Sequence, residues 1–231
     1  MDTDAPPSER DRSPAPQRAR GRRSRFVRPG AALIALVAVF LLVSTFVVQP
    51  YLIPSGSMEN TLRVGDRILV NKLAYRFGND PARGDVVVFD GTGTFADEEP
   101  ATDPVTAALR TVGAALGMAE PPRNDYVKRI VGTGGDSVKC CDSQGRIEVN
   151  GEPLEEHYLH PGGSASAVPF DIVVPEGRLW VMGDHRAESR DSRDHLGRPG
   201  GGTVAVDRVI GRADWIGWPA GRWATLRAAH G

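Results

Sequence analysis

The sequence predicts a mostly β protein: one all-β extracytoplasmic domain behind a single N-terminal transmembrane helix. Three observations carry this. Residues 31–48 form an 18-residue apolar run without a charge, close to the roughly 20 residues that cross a ~30 Å hydrocarbon core as a helix. Beyond it, short alternating or β-branched runs recur between turn signals. The chain also carries 27 Gly and 18 Pro among 231 residues, about 19% against a usual ~12%, which favours short elements joined by turns. A hydrophobic content of 40% excludes wholesale disorder, and the length suits one ordinary domain or two small ones.

Residues 1–30 are rich in Pro, Ser and Arg, with eight Arg against Asp2, Asp4, Glu9 and Asp11. So few large apolar residues cannot bury enough surface to fold, and a disordered basic tail is expected. Phe26 is its one aromatic residue, too little stacking surface for nucleic acid, so no nucleic-acid partner is expected. The transmembrane helix is placed at 31–49. No A-x-A pattern follows it in Gln49-Pro50-Tyr51-Leu52-Ile53-Pro54, so it reads as an uncleaved anchor and not as a cleaved leader. Arg18, Arg20, Arg22, Arg23, Arg25 and Arg28 precede it. The positive-inside rule then puts the N-terminus in the cytoplasm and residues 50–231 across the membrane.

Within 50–231, strands are expected at 67–70, 85–89, 126–131, 146–149, 170–174, 179–182 and 203–210. Asn150-Gly151 signals a type I′ hairpin, and Pro175-Glu176-Gly177 another tight turn between strands. Hairpins, not crossover helices, should connect the sheet. Residues 91–124 break the pattern as an insertion, with a helix at 105–118 that aligns Val105, Ala108, Leu109, Val112 and Leu116 on one face. Cys140 and Cys141 are too few for a disulfide framework and lack C-x-x-C partners for zinc. They are not expected to be catalytic; a vicinal disulfide would suit an oxidising compartment.

Several residues invite a chemical reading. Ser57, in Pro54-Ser55-Gly56-Ser57-Met58, sits in a small-residue turn that can present a hydroxyl, but Ser-Gly-Ser is also ordinary loop sequence. A serine nucleophile needs a base, either His or neutral Lys. Lys128 lies in an apolar strand where alternation puts Tyr126, Lys128 and Ile130 on one face. It either snorkels at a sheet edge or is desolvated, and composition alone favours snorkelling. His157 and His160 read as a surface pair, since no third ligand stands at a sensible spacing. Gly132-Thr133-Gly134-Gly135-Asp136 reads as a tight turn, lacking the strand-turn-helix context of a phosphate loop.

Three stretches are more specific together: PSGSMENTLRVGDRILVNKLAY; RGDVVVF with YVKRIVGTGGD; and GDHRAESRDSRD. In this order, behind an N-terminal anchor, they resemble the signature boxes of bacterial type I signal peptidases, the membrane-bound Ser/Lys endopeptidases. The resemblance spans about residues 31–215, excluding the insertion. It implies Ser57 as nucleophile and Lys128 as general base. Ser55 would join the Ser57 N–H in the oxyanion hole, Ser189 would orient the lysine, and Asp184, Asp191 and Arg193 would form a supporting polar cluster. It further implies removal of signal peptides after A-x-A-like sites from secretory preproteins emerging from the translocon, at the lipid surface, with no metal or cofactor. Two positions depart from the family. Asn60 stands where Pro is usual, which suggests a less rigid turn, and His185 replaces Asn in Gly183-Asp184-His185-Arg186, which raises a Ser57, His185, Asp191 triad as an alternative. The rival classes are a tethered β-domain that binds extended peptides by strand addition and a self-cleaving Ser/Lys protein of the repressor type.

Overall fold

The computed structural model describes residues 29–97, 113 and 124–226. A helix, α1 (Pro29–Phe46), is followed by twelve strands among the described residues. In chain order these are β1 (Val48–Leu52), β2 (Arg67–Asn71), β3 (Val86–Asp90), β4 (Asp125–Thr133), β5 (Ser137–Cys140), β6 (Ile147–Val149), β7 (Glu152–Pro153), β8 (Phe170–Val173), β9 (Arg178–Met182), β10 (Val204–Ala205), β11 (Val209–Trp218) and β12 (Ala224–Thr225). An eight-stranded sheet runs β1-β2-β11-β3-β4-β9-β10, with β12 on β11, and a four-stranded sheet runs β7-β6-β5-β8. The mostly β expectation is met. The basic tail and the helix expected at 105–118 lie outside the described residues.

The apolar run behaves differently at its two ends. Helix α1 starts at Pro29, a residue suited to the first helical turn, and stops at Phe46, three residues short of the expected 49. It stops because the chain turns into the sheet: Val48 pairs with Asn71 as β1 joins β2, and the Lys72 N–H donates to the Val47 carbonyl at 2.8 Å. Eighteen residues rise about 27 Å. Among the described residues no helix is long and apolar enough to cross a membrane. Pro50 is tolerated in β1 because that strand is a sheet edge.

β3 explains why its sequence reads as a continuous apolar run. Val86 and Val88 pack into one cluster with Ile53, Met58, Leu62 and Ile68, while Val87 and Phe89 pack into another with Phe95, Ile130 and Val181. Both faces are buried, so alternation disappears. A third cluster, built on Val131, Val138, Phe170 and Trp180, joins the two sheets. The run at 203–210 is split: β10 ends at Ala205, a 3₁₀ turn covers Val206–Arg208, and β11 begins at Val209. Asn150 and Gly151 both have positive φ, 56° and 83°, as a type I′ hairpin requires. Pro175-Glu176-Gly177 does turn, with the Arg178 N–H donating to the Pro175 carbonyl at 3.1 Å. It does not make a hairpin, because β8 pairs with β5 and β9 with β4 and β10; the turn passes the chain from one sheet to the other. Cys140 and Cys141, at the end of β5, are joined to each other.

The seam between the sheets is tight at Gly132, after the β4 register shift between Ile130 and Gly132. A Cβ there would lie 2.5 Å from Val138 Cγ2 and 3.2 Å from Val174 Cγ2, closer than packed side chains tolerate. Gly132→Ala should therefore cost roughly 1–3 kcal/mol through overpacking and lower Tm by about 3–10 °C in a thermal melt. An unchanged Tm would show that the seam is looser than described.

Candidate active site

β1 and β2 are antiparallel neighbours, and the 14 residues between them form a loop with clamped ends. The Ile53 N–H donates to the Asp66 carbonyl and the Gly65 N–H to the Ile53 carbonyl, both at 2.9 Å. Asp66, buried, accepts from the Arg63 N–H at 2.8 Å and from Arg222 Nη2 at 2.8 Å. A loop closed in this way can hold a side chain as firmly as a strand does. Its 3₁₀ turn, Gly56–Met58, carries Ser57, and Met58 anchors it in the core at 1% exposure.

Asn60 does not leave the turn loose. It adopts φ 81°, a left-handed conformation that Asn tolerates and that a proline ring forbids. Its side-chain amide donates to the Tyr158 and Leu159 carbonyls at 3.3 and 3.2 Å. The turn takes a path closed to Pro and is tied down by side-chain hydrogen bonds.

β4 supplies the partner. Lys128, opposite Val87 in the β3–β4 ladder, is 4% exposed, so it does not snorkel. Its Nζ lies 2.7 Å from Ser57 Oγ. Burial pushes the amine down from its usual range to about 8; Asp191 and Asp184 pull the other way, and Arg193 adds to the lowering. Ser55, exposed on the rim, places its Oγ 3.4 Å from Ser57 Oγ.

The next residue builds the frame. Arg129 pairs with Val86 on one side and with Met182, the last residue of β9, on the other. The chain leaving β9 thus delivers Asp184 to the Arg129 guanidinium, which donates to both carboxylate oxygens, Nε at 2.9 Å and Nη2 at 2.7 Å. Thr61 donates to the same carboxylate, and Tyr158 covers the guanidinium with its ring centroid 4.0 Å away. Asp191 caps the 3₁₀ turn Ser192–His195. It accepts from the Gly183 N–H at 3.0 Å and from Arg193 Nε and Nη2 at 2.8 Å. Burial alone would raise the Asp191 carboxyl, but the Arg193 contacts outweigh it and hold it below the usual range. Arg186 completes the frame, donating to the Gly183 carbonyl at 2.9 Å and to Glu156.

Asp184, Asp191 and Arg193 thus surround Lys128 as charged pairs. Ser189 is buried beside them; its hydroxyl faces Asp191 and helps to hold that carboxyl down, and it makes no hydrogen bond to Lys128. It is nonetheless adjacent: a Cβ on Gly183 would collide with Ser189 Oγ and with the Ser57 carbonyl oxygen. Arg129, Arg186, Glu156 and Thr61 belong to the frame and were not singled out by sequence; buried charges opposite buried carboxylates have no periodic signature. His185 makes no triad. Its backbone N–H donates to the Ser57 carbonyl at 3.1 Å, and the Asp191 carboxylate is occupied by Gly183 and Arg193.

Ser57 and Lys128 open on a cleft of about 180 Å³ lined by Ile53, Pro54, Ser55, Met58, Tyr126 and Val127. It is smaller than the roughly 300 Å³ at which drug-sized ligand sites begin. At its far end burial raises the Asp125 carboxyl to about 6, against a hydrogen bond from Tyr51 that lowers it.

A buried amine within hydrogen-bond reach of a serine hydroxyl can act as its proton acceptor. Known proteins resemble this chain over most of its length. It is 41% identical to a probable signal peptidase I of Mycobacterium leprae, over 86% of this chain and 79% of that protein. It is 43% identical to the signal peptidase I of Mycobacterium tuberculosis, over 86% of this chain and 75% of that protein. To signal peptidase I T of Bacillus subtilis it is 30% identical, over 82% of this chain and 84% of that protein. Residues 25–218 match the signal peptidase, peptidase S26, family, and the chain belongs to that family.

Proposed function

We propose that this peptidase removes N-terminal signal peptides from secretory preproteins by acyl transfer through Ser57 and Lys128. The observation that carries the reading is the 2.7 Å approach of Lys128 Nζ to Ser57 Oγ inside a buried site. With its amine at about 8, Lys128 is substantially neutral near pH 8. The neutral amine accepts the Ser57 proton as Oγ attacks the scissile carbonyl. Ser55 Oγ and the Ser57 N–H stabilise the oxyanion. Lys128 then returns the proton to the leaving amine, and water hydrolyses the acyl-enzyme. Ser189, buried beside the pair, is assigned the role of orienting the lysine. Substrate choice is by exclusion, since the small cleft admits Ala-sized side chains at the cut.

The chain is anchored by α1, whose Leu33, Ile34, Leu36, Phe40 and Leu42 are all about half or more exposed. An apolar helix without a polar face needs a lipid environment. We infer that the membrane segment is the apolar run within α1, residues 31–46, with residues 1–30 cytoplasmic and the sheet domain from β1 onward, including the 91–124 insertion, outside. Lys72 Nζ donates to the Thr45 carbonyl at 2.9 Å, fastening the helix end to the catalytic sheet. Ser57 is then kept near the lipid surface, where a preprotein leaving the translocon presents its cleavage site.

Four outcomes test this reading. Ser57→Ala, Lys128→Ala and Lys128→Arg should each lose at least about 10³-fold in kcat/KM on a signal-sequence peptide, because the two residues act as a unit and guanidinium does not deprotonate. The wild type should gain activity as pH rises through about 8, the deprotonated amine being the active form. Substantial activity in Lys128→Arg would remove Lys128 as the base. Replacing the substrate Ala before the cut with Phe should reduce kcat/KM by about 10–100-fold, the equivalent of 1–3 kcal/mol of overpacking; equal turnover would refute selection by a small cleft. Protease added outside native-orientation vesicles should digest residues beyond 50 and spare the tail, and the reverse pattern would overturn the topology.

A further inference from the structure

Hydrolysis leaves unused a group of ligating side chains on the other side of the nucleophile turn. Glu59 stands two residues after Ser57, His160 in the loop that Asn60 grips, and His185 next to Asp184. One ligand atom from each of the three lies within 4.8 Å of the others. The imidazoles stack with centroids 4.0 Å apart and planes 14° from parallel. His185 Nδ1 is 4.0 Å from Glu59 Oε2, is shielded from solvent and has no hydrogen-bond partner. A buried ring nitrogen without a partner is costly and calls for one.

Each ligand is held by an independent contact. A Cβ on Gly56 would lie 3.2 Å from both Cδ and Oε1 of Glu59, so the carboxylate rests on the nucleophile turn. The His160 N–H donates to the Asp184 carbonyl at 3.0 Å, and the His185 N–H to the Ser57 carbonyl at 3.1 Å. The Glu59 side chain is 38% exposed and that of His185 15%, which leaves a route in from solvent. Two imidazoles and one carboxylate suit Zn²⁺ and its neighbours over Mg²⁺ or Ca²⁺, which prefer oxygen. Zn–N bonds of about 2.0–2.1 Å put tetrahedral ligand atoms about 3.3 Å apart, and because imidazole lone pairs lie in the ring planes, binding requires one ring to turn out of the stack.

We propose that Glu59, His160 and His185 form a binding site for one divalent transition-metal ion of the Zn²⁺ class, distinct from the Ser57–Lys128 pair. An ion there cross-links the nucleophile turn to the segments that carry His160 and Asp184, stiffening the site from behind. The assignment does not depend on the hydrolytic reading. The sequence pairing of His157 with His160 missed it because the other ligands come from remote loops.

The test uses the full-length chain in detergent, stripped of metal by chelation, with ZnCl₂ titrated by calorimetry and by thermal melts in parallel. One Zn²⁺ per chain should bind, and at 100-fold excess over Kd the Tm should rise by about 5–10 °C, whereas MgCl₂ at equal concentration has no effect. His185→Asn and Glu59→Gln should each weaken binding by more than the roughly 10–100-fold typical of outer partners. Should His185→Asn fold poorly, Glu59→Gln, on the exposed rim, decides the matter. Absence of saturable Zn²⁺ binding, or unchanged affinity in the variants, would overturn the proposal.

Discussion

Keeping one lysine out of water beside a serine hydroxyl is the constraint on which the rest of this site depends. Moving the Lys128 amine from its ordinary range to about 8 corresponds to about 3 kcal/mol of preference for the neutral form. Buried carboxylates nearby would cancel that preference if they were unpaired. They are not: Asp184 is matched by Arg129 and Asp191 by Arg193, with Arg186 and Glu156 as a third pair. Each of these buried carboxylates has its own cation, so burial wins over attraction at Lys128.

Such pairs add little net stability, since desolvation offsets much of their attraction, whereas removing one partner from a buried pair costs about 3–5 kcal/mol. Their contribution here is positional. Asp191 fixes the Gly183 N–H and Asp184 fastens to Arg129 beside Lys128. The segment leaving β9 is therefore pinned against the nucleophile turn, with His185 donating to the Ser57 carbonyl. Gly183 is the residue that permits this approach, because any side chain would enter the space of Ser189 and Ser57.

The strands most legible in the sequence were those with uninterrupted β-branched runs, such as β3 and β4. β11 was largely hidden because Gly211, Asp214 and Gly217 break its alternation and it is bulged against β2 and β3. β1 was hidden because its residues continue an apolar run and include Pro50. The turn at 175–177 was legible but its connectivity was not, since a turn signal is the same within a sheet as between sheets. At the site, Ser57 and Lys128 became legible through short motifs, not through periodicity. Arg129 stands next to Lys128 in the same motif, yet its partner is 55 residues away, and nothing local marks an arginine as buried. The cluster of Glu59, His160 and His185 was invisible for the same reason.

Hydrolysis through Ser57 and Lys128 depends on the protonation of one amine, which can be observed directly. The chain has only three lysines, Lys72, Lys128 and Lys139, so ¹³Cε-lysine labelling gives three NMR signals, with the Lys128→Ala variant assigning the one of interest. A titration midpoint for Lys128 of about 8 is the predicted result. A midpoint near the ordinary ~10.4 would mean that the amine is charged where the mechanism needs it neutral, and would contradict the account.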